Sequence, residues 1–91
     1  MEFEYNRQKS QVNREKHGID FEEAKNLWRK ENVVLPAITR GDNRYMMIGK
    51  IGEFLYSCIF TIRGESIRII SCRKSREKEK GIYHEKTEEK N

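Results

Sequence analysis

The sequence predicts an α+β fold, an antiparallel sheet with two N-terminal helices on one face and a C-terminal helix after it. Three observations carry this. Two capped helical patterns open the chain. Three strand patterns then follow, joined by the two-residue loops Gly52-Glu53 and Gly64-Glu65. A cationic helical pattern closes it. Ninety-one residues suit a single domain, 1–91, with a thin core, because charged residues (37%) outnumber hydrophobic ones (35%).

Phe3 and Tyr5 make Glu2–Tyr5 a short first strand. Asn6 caps a helix over Arg7–His17, with Lys16 and His17 in its last turn and Gly18 beyond. Only Val12 is apolar within it, so this helix is expected to be largely exposed. Asp20 caps a second helix with Glu23 completing a capping box, and Phe21, Ala24, Leu27 and Trp28 form its core stripe. Val33–Ile38 is a strand that Pro36 restricts to a sheet edge, and Arg40-Gly-Asp-Asn is a turn.

Asn43–Ile51, Phe54–Arg63 and Ser66–Lys74 are the three hairpin strands, and glycine first in each loop fits a II′ turn. Counting outward from the loops aligns Tyr45, Phe60 and Ile69, with Asn43, Ile62 and Ile67 to one side and Met47, Cys58 and Ser71 to the other. That face is the expected core side, under the first two helices. The opposite face carries Met46, Ile59 and Ile70, then Arg44, Thr61 and Arg68, then Lys50, Leu55 and Lys74. Arg44 and Arg68 would lie about 10 Å apart, able to share one phosphate or adjacent ones, or else to bridge to a carboxylate such as Asp42. The count places Cys58 and Cys72 on opposite faces, so no disulfide is expected. Ser75 caps the last helix, which Gly81 weakens and which is expected to fray from Glu85 onward.

Lys and Arg total 19 against 15 for Asp and Glu, which fits a nucleic-acid or acidic protein partner. The excess is concentrated, since Arg73–Lys80 holds five cations and two carboxylates. Two cysteines and two histidines offer neither a disulfide framework nor zinc-site spacing, so chemistry without metal or cofactor is expected. No apolar run approaches the roughly 20 residues of a membrane span, and MEFEYN lacks the order of a signal peptide. The expectation is a cytoplasmic protein with no membrane contact. A nonpolar strand, then clustered arginines, then carboxylates and a tyrosine, suits a protein that grips phosphate.

Several segments in order resemble the BrnT family. MEFEYNRQK resembles its opening strand and helix start, and Lys16–Ala24, KHGIDFEEA, resembles its K-H-G-(V/I)-x-F-E-E-A signature. DNRYMMIGK resembles E-x-R-x-x-x-I-G, and IRIISCRKSREKEKGIYHE resembles R-I-I-S-A-R-x-A-x-x-x-E-x-x-x-Y. Cys72 and Ser75 stand where the family often has alanine, and Glu77 and Glu79 both approach the glutamate position. The resemblance implies a RelE/ParE-like fold and the toxin of a type II toxin–antitoxin pair. It further implies an endoribonuclease that inhibits translation and is neutralised by a BrnA-like antitoxin, with DNA contacted only through that antitoxin. The alternatives are a toxin of the same fold with another target such as gyrase, or a non-catalytic nucleic-acid-binding regulator.

Metal-independent RNA cleavage uses the neighbouring 2′-hydroxyl as nucleophile. It needs that oxygen deprotonated, the phosphorane charge stabilised and the leaving 5′-oxygen protonated. Arg44, Arg68, Arg73 and Arg76 are the candidates for the charge. His17, Glu77 or Glu79, and Tyr83 are the candidate proton carriers, each with a plainer alternative as a helix-end cation, a solvated carboxylate or a packed ring. Lys16, Lys74, Lys78 and Ser71 are candidates for holding the RNA backbone.

Overall fold

The computed structural model describes residues 2–37 and 43–88. Strand β1 spans Glu2–Glu4, helix α1 Arg7–His17 and helix α2 Phe21–Ala24, which continues as a 3-10 turn over Lys25–Arg29. Strands β2 (Asn32–Ala37), β3 (Arg44–Ile51), β4 (Phe54–Arg63) and β5 (Ser66–Lys74) follow, and helix α3 runs over Glu77–Glu88. The five strands form one sheet in the order β1-β5-β4-β3-β2.

The local signals act as read. Asn6 accepts the Lys9 N–H at 3.0 Å. Gly18 (φ 76°) closes α1 in the left-handed conformation and donates to the Arg14 carbonyl. Asp20 and Glu23 form the capping box. Gly52 and Gly64 have φ of 63° and 58° while the glutamates after them do not turn positive, as II′ turns require. Pro36 lies on β2, an edge strand. Gly49 permits a close approach, since a Cβ there would stand 3.0 Å from Leu27 Cδ2. The turn expected at Arg40-Gly-Asp-Asn falls mostly outside the described residues, as does Asp42.

Four expectations are corrected. The sheet is mixed, because β1 pairs parallel to β5, Phe3 beside Ile67. Ser75 does not cap α3; its hydroxyl meets Ser57 at 2.8 Å, and Glu79 instead reaches back to the Arg76 N–H at 2.9 Å. Residues 85–88 continue α3 and do not fray out of it.

The fourth correction concerns register. The pairing count holds from both turns, but a β-bulge interrupts β5: Phe60 pairs with Ile69, and Ile59 with Ser71. Ile70 is the extra residue, and every residue after it changes face. Ser71 and Arg73 move to the outer face with Arg68, while Cys72 and Lys74 move to the α1–α2 face. Cys58 therefore stands directly opposite Cys72. Both thiols are free, as expected, though they share a face. A hydrogen bond to the Cys72 sulfur, reinforced by burial, raises the Cys58 thiol well above its ordinary range.

Two apolar clusters sandwich the sheet. Ile19, Phe21, Ala24 and Leu27 pack on Met47, Cys58, Phe60, Ile67 and Ile69. Trp28 contacts Phe3 and Phe60 edge-on, with centroids 5.1 and 5.0 Å apart. On the other face α3 lays Tyr83 and Ile82 against Val33, Leu35, Ile48 and Met46. The last helix thus covers part of the apolar outer row.

Helix α1 is joined to the sheet by polar groups. Strand β1 pairs only as far as Arg68, which leaves the rest of that β5 edge without a strand. There the Asn13 amide takes a strand's place: Nδ2 donates to the Cys72 carbonyl at 2.7 Å and Oδ1 accepts its N–H at 3.2 Å. Nδ2 also donates to the Ile19 carbonyl at 2.7 Å, and Ser10 Oγ accepts the Phe21 N–H at 2.9 Å. Asn13 and Ser10 are the buried residues of α1. Asn13→Ala leaves three buried backbone groups without these partners. At about 1–3 kcal/mol for a stranded group, with partial relief by water, it should destabilise the protein by about 3 kcal/mol. Thermal denaturation should show a fall of roughly 12–24 °C.

Candidate functional site

The bulge decides which side chains meet on the outer face. It turns Arg73 toward α3, where the guanidinium grips Glu79 through two hydrogen bonds of 2.8 and 2.9 Å. Glu79 Oε1 also accepts from Ser57 Oγ at 2.8 Å. The Ser57 proton is committed there, so Ser75 donates to Ser57. The Arg73 pair, the Arg76 N–H and Ser57 together hold the Glu79 carboxyl at about 2, against an ordinary 4.5. Arg73 is raised in return, by Glu79 first. This four-point anchor fixes the start of α3 to β4 and β5.

With α3 so placed, a groove of about 550 Å³ opens between its first turns and the sheet. Arg44, Ser71, Arg76 and Lys78 line it, above the half-buried Met46 and Ile59. A second groove, about 520 Å³, lies between α1 and the bulge. Its walls carry Lys9, Val12, Lys16 and His17. Ile70 and Ser71 belong to both grooves, so the bulge is the ridge where they meet. Arginine forks, a lysine and a hydroxyl line one groove and an imidazole lines the other, a set of groups of the kind that holds a phosphodiester and moves a proton.

The other sequence candidates sit elsewhere. Arg68 flanks Arg44 through Thr61, as the count predicts. Its guanidinium lies 3.7 Å from the Glu4 carboxylate, which also stands 3.9 Å from Arg63. A phosphate reaching Arg68 would compete with Glu4, and a pair this exposed yields easily. Tyr83 is buried, with burial and Glu31 raising its phenol, and lines a different cleft from Arg76. Glu77 is exposed and pairs with Lys80 at 3.2 Å. The Lys74 ammonium lies 4.1 Å above the Phe54 ring, at the opposite end of the sheet from Arg68.

Sequence reasoning missed Lys9, which shares the His17 groove. The signal was present: Lys9, Asn13, Lys16 and His17 recur at i, i+4, i+7 and i+8, one face of a helix.

The described residues form a small α+β domain with a five-stranded mixed sheet and three helices, and its outer face carries a basic groove suited to an anionic ligand. Among the described residues no helix is long and apolar enough to cross a membrane. Residues 5–79 match the family model described as "Ribonuclease toxin, BrnT, of type II toxin-antitoxin system". The chain belongs to that family, and membership implies an antitoxin partner. A search of curated proteins gave no match.

Glu79→Gln keeps the shape and removes the charge. The variant should lose about 2 kcal/mol at neutral pH, the scale of a hydrogen bond to a charged group. Because the folded carboxyl titrates at about 2 and the ordinary value is 4.5, its contribution is complete above pH 4.5 and fades as pH falls toward 2. Urea denaturation at several pH values should show the difference between the two proteins shrinking through that window.

Proposed function

We propose that the protein is a RelE/ParE-like, metal-independent endoribonuclease that inhibits translation in the cytoplasm and is neutralised by a BrnA-like antitoxin. The observation that carries this reading is the joining of the two grooves at Ser71, with Arg44, Arg76 and Lys78 on one side and Lys16 and His17 on the other. The family's description as a ribonuclease toxin supports RNA as the substrate class.

In this reading Arg44 and Arg76 bind the scissile phosphate and stabilise the phosphorane. The 2′-oxygen loses its proton and attacks phosphorus. The 5′-oxygen then leaves with a proton, giving a 2′,3′-cyclic phosphate. His17, on the ridge's far side, serves as the proton carrier. Ser71 contacts a phosphate oxygen, and Lys16 and Lys78 hold the neighbouring backbone. Arg68 is a flanking clamp reached once Glu4 is displaced. Arg73 acts through Glu79 as a positioning residue, and Tyr83 by packing α3. Lys74 and Glu77 lie outside the reacting groups. The antitoxin inserts an apolar helix face over Met46 and Ile59 and occludes the arginines. DNA is contacted through the antitoxin.

The test is incubation of antitoxin-free protein with a defined RNA in EDTA. Wild type should cut. Arg44→Ala and Arg76→Ala should each cut about 100- to 1,000-fold more slowly, the usual effect of removing a transition-state charge donor. Arg68→Ala should lose less. Full activity in both Arg44→Ala and Arg76→Ala, or intact RNA with retained toxicity, would refute the mechanism.

A further inference from the structure

A third cleft, of about 360 Å³, lies where the β3–β4 turn meets the second half of α3. It shares no lining residue with the two grooves at the bulge. Helix α3 divides them: Lys78, Glu79 and Ile82 form the stripe facing the arginine groove, and Lys80, Tyr83, His84 and Thr87 the stripe facing this cleft. The separation is about one helix diameter, roughly 10 Å.

Its composition is unlike a packing defect. Phe54 is 51% exposed at the head of β4, an unusual place to leave an aromatic ring. Lys74 already lies on that ring, 4.1 Å from its centroid. The bulge is what brings Lys74 onto the Phe54 face, by shifting it opposite Tyr56. Lys50 and Lys80 complete three lysines around the cleft, with His84 beside them and the carboxylates Glu31 and Glu53 among the walls. Lys80 is partly engaged by Glu77 at 3.2 Å.

An exposed ring among lysines is the pattern that binds single-stranded nucleic acid, the ring stacking a base and the cations tracking phosphates. We infer that this cleft is an accessory RNA-binding site for the strand running beyond the cut, with Phe54 stacking a base and Lys50, Lys74 and Lys80 holding the phosphates. The inference rests on the reading of the chain as an RNA-cleaving toxin. A strand leaving the arginine groove crosses α3 to reach it.

The experiment measures binding apart from cutting, using a single-stranded RNA blocked by 2′-deoxy substitution and followed by fluorescence anisotropy. Phe54→Ala should weaken binding roughly 5- to 150-fold, the effect of one lost stacked base, while Phe54→Trp restores it. Lys50→Ala should reduce the slope of log affinity against log salt by about 0.7, one phosphate's worth. Unchanged RNA affinity in Phe54→Ala would overturn the proposal. So would unchanged RNA affinity with weakened antitoxin capture, which would make the cleft a protein-binding surface. Wild type that binds but never cuts unblocked RNA would defeat the nuclease reading and leave this site standing. Wild type that cuts while Phe54→Ala binds normally would do the reverse.

Discussion

One buried amide organises this molecule. Strand β1 is too short to cover the edge of β5, and an open edge of buried backbone is costly. Asn13 closes it by pairing with both backbone groups of Cys72, and the same amide holds the Ile19 carbonyl ahead of α2. The clamp sits two residues past the bulge at Ile70, and so fixes the stretch of β5 that has changed face. The β5 and α3 side of the candidate site follows from that change. Ser71 becomes the ridge between two grooves, and Arg73 reaches Glu79. Glu79 sets the start of α3, and α3 carries Arg76 and Lys78 into place.

The arginines therefore divide into two kinds. Arg73 is held by a carboxylate whose remaining bonds reach Ser57 and the helix start, which makes it part of the frame. Arg44 and Arg76 line an open groove. Sequence position alone grouped them, since Arg73 and Arg76 are three residues apart in one cationic run. The distinction is one of placement, and a strand that gains a single residue changes the neighbours of everything beyond it.

Much of the fold was legible. Asn6, Gly18, Asp20 and the two Gly-Glu turns announce themselves through local chemistry, because each satisfies a helix end or a positive φ within a few residues. Phe21, Ala24 and Leu27 were legible through periodicity. The bulge was not, because Ile67, Ile69 and Ile70 give no sign of which isoleucine is the extra one. Its error ran onward to Ser71, Cys72, Arg73 and Lys74. Asn13 was unreadable for a different reason: a polar residue in a polar helix signals solvent, and its partner is 59 residues away. Of the candidate residues, Arg44, Ser71 and Arg76 line one groove. Tyr83 belongs to the core, and Glu79, weighed against Glu77, is a structural anchor.

The central claim is that the bulge presents Ser71 as the crossing point of an RNA path between α1 and α3. It is tested most directly by titrating the labelled protein with a non-cleavable RNA and following backbone amide resonances. The account requires the largest shifts at Ser71, around Lys16–His17 and at Arg76–Lys78. Shifts confined to the exposed Val34 and Ile62 on the α1–α2 face of the sheet, with Ser71 and its neighbours unmoved, would contradict it.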